Sequence, residues 1–374
     1  MKTRLAIYGV DEYQGALMSR RAAARGISHI GAGRDIACVA THANATLSGK
    51  EHPVEPRVFG LGDVSRIASQ LDDVAVLINC ATPFGETAAP LIAAALATGT
   101  HYLDLGSSTP HLASVMARDA DAVAAGVTLL SGVSFDFAAA EAVAARLATL
   151  LPMARALTLA AKRANLSRAE ARELVAALRR PGEVAKNGQL VRAMPAARMV
   201  DVDFGKGPER AALAPWRGEA VACRRRLPYS SIETFEVLPA PLARLMRRGT
   251  LAHFLFRRGW RAASLERRLA HGREGTPDAE LQRARAVVWG EARTPDGRVR
   301  RARLETPAAP VFSADAAFLI AQRLVEGAGM PGFRLPSEAA GAALVEGIEG
   351  VTWREIADAE ETFAPDPVAL ADAP

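Results

Sequence analysis

Gly9-Val10-Asp11-Glu12-Tyr13-Gln14-Gly15 follows the first apolar run of the chain, Arg4–Tyr8, and leads into a helix-like stretch, Gly15–Arg25. A strand–turn–helix junction bounded by glycines lets backbone amides approach a pyrophosphate, and that is the chemistry this spacing suggests. Gly9 and Gly15 hold the outer positions of a G-x-x-G-x-x-G pattern, while Glu12 occupies the middle one. An ordinary strand-to-helix turn fits the same residues. Arg34 stands directly after a second strand-like run, Ile27–Ala32. At that position an acid selects NAD, whereas an arginine accommodates the 2′-phosphate of NADP. The apolar run Val74–Asn79 ends in Cys80-Ala81-Thr82-Pro83, small and polar residues suited to the ligand-facing end of a central strand. Cys80 has no accompanying histidine pattern and reads as a buried structural thiol rather than a nucleophile. His29, His42, His52, His111, His253 and His271 show neither an i,i+4 pair nor metal-ligand spacing, so no metal is expected.

The elements that must position these residues alternate strand and helix. Arg4–Tyr8, Ile27–Ala32, Val58–Phe59, Val74–Asn79, Tyr102–Leu105 and Val127–Ser131 predict six parallel strands, with helices over Gly15–Arg25, Thr87–Thr98 and Thr109–Ala125. The expected fold class is α/β: a Rossmann-like doubly wound parallel sheet over 1–135, then an α+β domain over 136–312 for substrate binding or dimerisation. A C-terminal helical return over 313–350 packs back on the first domain, and an acidic tail, 351–374, frays. In the second domain a helix is expected over Ala138–Leu151 and strands near Leu190–Arg192, Met199–Asp203, Glu219–Arg225 and Glu233–Leu238. Ser167-Arg168-Ala169-Glu170 predicts a capping box. Arg283–Arg293 and Arg298–Thr306 predict a hairpin around Thr294-Pro295-Asp296-Gly297.

With 374 residues, 49% hydrophobic and 23% charged, the chain is neither disordered nor a single small domain. No apolar run reaches the roughly 18 residues of a membrane span, and the N-terminus lacks a signal-peptide pattern. Three separated cysteines form no disulfide framework, so a cytoplasmic protein is expected. The net charge is +5, but only five of 46 basic residues are lysines. That arginine bias, without any nucleic-acid motif, argues against a nucleic-acid partner.

Taken together, the motifs resemble the saccharopine dehydrogenase-like reductases, particularly the branch with trans-acting enoyl reductases of lipid biosynthesis, over almost the whole chain. Gly9, Tyr13 and Gly15 match the family's GATGYTG turn, and Ala32-Gly33-Arg34 its AGR. Asn79, Cys80, Ala81, Pro83 and Phe84 match NCAGPF, and Gly99-Thr100-His101-Tyr102-Leu103-Asp104 reproduces GTHYLD. Phe135-Asp136, Asp203-Phe204-Gly205 and Val288-Trp289-Gly290-Glu291-Ala292 look like that branch too. The resemblance implies NADP(H) on the first domain, held by Gly9, Tyr13, Gly15, Arg34, Asn79, Cys80, Ala81, Thr82 and Pro83. It implies a substrate cleft with Asp104, Ser107, Phe135 and Asp136, of which Asp136, Asp104 and Ser107 are the catalytic candidates. The departures fall at ligand-facing positions: the turn reads GVDEYQG, Ser134 replaces a glycine before Phe135-Asp136, and Leu105-Gly106-Ser107-Ser108 replaces a TGE-like segment.

Three functions follow. The first is an NADP-dependent reductase of an unsaturated or carbonyl-bearing lipid or polyketide-like substrate. The second is a redox-neutral isomerase or cyclase on the same fold without cofactor, and the third a non-catalytic binding protein. Pro241–Arg273 carries nine arginines against the single acid Glu266, interleaved with Phe254, Phe256 and Trp260. It reads either as a solvated basic face or as a dock for an acidic carrier protein or an anionic membrane surface. The second-domain sheet offers an edge for a homodimer.

Overall fold

A computed structural model describes residues 2–47, 54–164, 166–239, 242–243, 275–341 and 343–357. The chain divides into two compact units. One comprises Met1–Ala142 with Ala309–Gly350, the other Val143–Ala308 with Val351–Pro374.

The first unit is built on a seven-stranded sheet. Its strands are β1 (Arg4–Tyr8), β2 (His29–Gly33), β3 (Val54–Val58), β4 (Val74–Asn79), β5 (His101–Asp104), β6 (Thr128–Leu130) and the short Gly332–Phe333. Their spatial order is Gly332–Phe333, β6, β5, β4, β1, β2, β3, and every pairing is parallel. All six residues of β4 are buried, as a strand covered on both faces requires. The strand order reverses between β1 and β4, which places the ligand crevice of such a sheet over their carboxyl ends. Helix α1 (Tyr13–Ala24) leaves that crevice. The C-terminal helix Ala309–Val325 returns to this unit, where buried Asp315 accepts from Arg21 at 3.0 Å and pairs with Arg25 at 2.8 Å.

Several local expectations are corrected. Ile36–Leu47 and Val64–Leu71 are helices that the sequence did not announce. The second begins where Asp63 accepts from the amides of Ser65 and Arg66. Thr109–Ala125 is two helices, Thr109–Met116 and Asp119–Ala124. The stretch expected as one last helix is two short ones, Pro336–Ala340 and Ala343–Glu346.

The second unit holds a mixed sheet in which Ala156–Lys162 lies centrally, parallel to Ser231–Glu236 and antiparallel to Arg285–Arg293. The hairpin Arg285–Arg293/Val299–Pro307 forms around a turn whose Gly297 has φ +90°. Trp289, Phe235, Phe204, Val200 and Val202 fill the apolar core on one face. The capping box at Ser167 is present, with Glu170 reaching back to the Ser167 amide at 2.6 Å. Glu219–Arg225, expected as a strand, belongs instead to the helix Glu219–Arg226, where Glu219 makes a buried ion pair with Arg217 at 2.6 Å. The tail does not fray at once: Thr352–Ile356 pairs with Val299–Pro307 as an edge strand.

Candidate functional site

The crevice between β1 and β4 is lined first by backbone. Gly9 has φ +93°, and a Cβ there would lie 2.7 Å from the Ala81 amide nitrogen. A Cβ on Gly15 would lie 2.1 Å from the Gly9 carbonyl oxygen. Both glycines are therefore fixed by close approach: Gly9 to the loop after β4, and Gly15 to the turn. The Gly9 amide donates to the Ala32 carbonyl at 2.7 Å, which sets the turn against the end of β2.

The two acids of the turn do not extend into water. Asp11 folds back to accept from the Arg34 amide at 3.3 Å, and only a glycine at position 33 leaves room for its carboxylate. Glu12 is the N-cap residue of α1, yet its side chain makes no bond to that helix. Instead its carboxylate crosses to the loop after β4. Both oxygens accept from the Thr82 amide at 3.1 Å, and the Thr82 hydroxyl donates to one of them at 2.6 Å. The Arg34 guanidinium comes within 3.9 Å of the same carboxylate, with its side chain 55% exposed. Ile36 is exposed just beyond Arg34 and presents an apolar surface beside it.

Asn79 is buried and structural in its contacts. Its amide group donates to the Thr87 hydroxyl and the Tyr102 hydroxyl, both at 3.1 Å, and its oxygen accepts from the Ala81 amide at 3.0 Å. It thus holds the loop after β4 in shape. Cys80 and Ala81 are buried, and their amides donate to the Tyr8 carbonyl and the Asn79 side chain. Burial pushes the Cys80 thiol up, away from a reactive thiolate. Tyr13 and Thr82 are partly buried, and Pro83 is exposed at the start of the helix Phe84–Thr98.

Asp104, expected in the cleft, is buried among fixed partners. It is fully buried and accepts from the Tyr102 hydroxyl at 2.9 Å, the Gly106 amide at 2.9 Å and the Ser131 hydroxyl at 2.6 Å. His111 Nε2 lies 2.8 Å from Oδ2, the oxygen that also accepts from Tyr102. A carboxylate committed to four partners shapes the loop rather than meeting a substrate. His111, passed over in the sequence because it lacks a metal spacing, is what closes this cluster. Gly106 makes room for it, since a Cβ there would lie 2.2 Å from the imidazole. Ser107, on that loop, remains partly exposed. Phe135 is buried and its amide donates to Ser313 at 2.9 Å. Asp136, next to it, is partly exposed in the first turn of a π-helical segment, Phe135–Ala139. Among the described residues no cluster of His, Cys, Asp and Glu suits a metal ion, and no helix is long and apolar enough to cross a membrane. The basic segment 241–273 lies outside the described residues apart from Leu242 and Ala243.

Residues 30–130 match the family model of the saccharopine dehydrogenase NADP binding domain. The chain aligns with apo saccharopine dehydrogenase (L-Glu forming) from Saccharomyces cerevisiae at a TM-score of 0.63, covering 95% of this chain and 100% of that one at 12% identity. The fold is that of saccharopine dehydrogenase. A short-chain dehydrogenase from Sphingobium yanoikuyae in complex with NADPH aligns over 34% of this chain and 71% of that one, with a TM-score of 0.28 and 16% identity. No curated protein matches the sequence. The matched segment begins at residue 30, so the turn bearing Asp11 and Glu12 lies ahead of it.

The donor set tests whether an NADP phosphate suits this crevice. The Thr82 amide, the Thr82 hydroxyl and the Arg34 guanidinium converge on a carboxylate, so they already serve an anionic pair of oxygens. The donors fit. Glu12 does not, because at about 4 Å and an effective dielectric near 20 a second anion beside it costs about 4 kcal/mol, roughly three decades of affinity.

Proposed function

We propose that this chain is an NADP(H)-dependent oxidoreductase of the saccharopine dehydrogenase-like type. We take its substrate to be an unsaturated or carbonyl-bearing lipid or polyketide-like molecule. The observation that carries the redox assignment is the convergence of Thr82, Arg34 and the glycine-lined turn over the β1/β4 switch point. The substrate class rests on the motif resemblance to the enoyl reductase branch, including Phe135-Asp136 and Val288–Ala292.

When bound, NADPH supplies a hydride. The residues of this chain bind and orient. Gly9 and Gly15 keep the turn thin enough for backbone to approach a phosphate, and Arg34 meets the 2′-phosphate. Thr82 donates to an anionic oxygen, while Asn79 fixes the loop that carries Thr82. Asp104 and His111 hold the loop of Ser107. Asp136 is the polar group assigned to the substrate side, and its carboxyl or a water delivers the proton.

A second reading, a redox-neutral isomerase or cyclase, is favoured by one observation: Glu12 occupies the donors a phosphate would use. The two are separated with NADPH deuterated at the transferable position and an α,β-unsaturated acyl thioester or ketone. Deuterium in the product supports the reductase. Turnover of substrate with no label transferred and no NADPH consumed supports the redox-neutral enzyme.

A further inference from the structure

We infer that Glu12 is an intramolecular competitor for the nucleotide: its carboxylate occupies the Thr82 donors that a pyrophosphate oxygen would use, within 3.9 Å of Arg34, and must leave before that phosphate can enter. The inference rests on the assignment of an NADP(H) site to this crevice.

Three features of Glu12 support it. The side chain stands at the position where a glycine would let a pyrophosphate approach, between Gly9 and Gly15. Its own helix does not use it, since α1 receives no side-chain cap from Glu12. And its contacts reproduce what a phosphate asks of this loop: an amide and a hydroxyl donating at 3.1 and 2.6 Å, with a guanidinium at 3.9 Å. The carboxylate thereby joins the start of α1 to the loop after β4, across the crevice. Asp11 adds a second tie, from the same turn to the Arg34 amide at the end of β2. Two side chains of the turn thus tie it to the strand ends on either side.

A competitor of this kind has a signature that neither an ordinary surface acid nor a lost site shares. Removing it weakens the free protein, which loses the bonds across the crevice. It also strengthens nucleotide binding, which no longer has to displace a like charge. Stability and affinity move in opposite directions.

The experiment compares native protein with Glu12→Gln, which keeps the shape and loses the charge, and Glu12→Gly, which empties the position. NADPH affinity is read by calorimetry and nucleotide-free stability by thermal melting, with inorganic pyrophosphate as a probe lacking adenosine and nicotinamide. The expected result is tighter NADPH binding by about tenfold in Glu12→Gln and about a hundredfold in Glu12→Gly, discounted for the partial exposure of the carboxylate. Pyrophosphate follows the same order, and the melting temperature of both nucleotide-free variants falls below that of native protein. NADPH binding of equal strength in all three proteins overturns the competitor and leaves the NADP(H) assignment standing. Absence of NADPH binding from all three overturns both.

Discussion

Replacing Gly15 by alanine tests the close approach on which the first turn depends. The added Cβ would lie 2.1 Å from the Gly9 carbonyl oxygen and 2.6 Å from its carbon. Ordinary contact begins near 3.4 Å, so the turn must give by more than 1 Å. No flexible side chain can take up this movement. The same carbonyl accepts from the Glu12 amide at 2.9 Å, and the Gly9 amide donates to Ala32 at 2.7 Å. Overpacking typically costs about 1–3 kcal/mol, and a clash borne by backbone belongs at the upper end, about 3 kcal/mol. For a chain of 374 residues, at about 2.1 cal/mol/K of unfolding entropy per residue, that corresponds to a fall in melting temperature of roughly 4 °C. Gly85 is the control. It lies exposed in the first turn of the helix Phe84–Thr98, and a Cβ there meets nothing within 4 Å. Gly85→Ala should therefore raise stability by up to about 1 kcal/mol through helix propensity. The two substitutions are chemically identical and should have opposite signs in thermal melting. A Gly15→Ala protein that melts with the native one, or a Gly85→Ala protein that falls as far, would refute the close approach.

Asp104→Asn should cost about 3 kcal/mol in denaturant unfolding, because an amide NH2 would face donors where a carboxylate now accepts; unchanged stability with lost activity would make Asp104 a reacting group instead. Glu141 is buried and accepts from the Ser337 amide at 2.9 Å, and burial pushes its carboxyl up to about 7. Its folded form therefore holds a proton that the unfolded chain releases near its ordinary 4.5. The stability linked to that proton is full below about pH 4.5 and is lost as pH rises through 7, by about 3 kcal/mol. Glu141→Gln should match native protein at about pH 4.5 and exceed it at about pH 8 in thermal melting; parallel curves would contradict the raised value. If the arginines of 241–273 dock an anionic partner, changing Arg247, Arg248, Arg257 and Arg258 to Glu should abolish co-sedimentation with anionic vesicles, and salt should weaken it over a Debye length of about 10 Å at 0.1 M. Retention of binding by the reversed protein would make the segment a solvated face.

What was legible in the sequence depended on whether the signal was local. Val74–Asn79 is legible as a strand because it is an unbroken apolar run ending in one Asn, and all six residues are buried in the sheet. Ser167 and Glu170 announced a helix start because capping involves residues three apart. Ile36–Leu47 escapes a sequence reading because a five-residue apolar run, Ile36–Ala40, precedes a mixed stretch without a clear helical stripe. Glu219–Arg225 reads as a strand but is helical, since what favours the helix includes a buried pairing of Glu219 with Arg217 that composition does not reveal. Asp104 is legible at the end of a strand, but its surroundings are not. Its partners Tyr102, Gly106, His111 and Ser131 converge only in three dimensions. Glu12 was recognised as a departure from the glycine pattern, but its bond to Thr82, seventy residues on, depends on the β1/β4 neighbour relation.

The most direct measurement is a calorimetric titration of native protein and Arg34→Ala with NADPH and with NADH. A guanidinium at the end of β2 that meets the 2′-phosphate makes a charge-assisted contact which NADH cannot offer. Native protein should bind NADPH more tightly than NADH by about tenfold or more, and Arg34→Ala should erase most of that preference. Equal affinities of native protein for the two nucleotides, or a preference that survives Arg34→Ala, would contradict the placement of NADP(H) over the β1/β4 switch point.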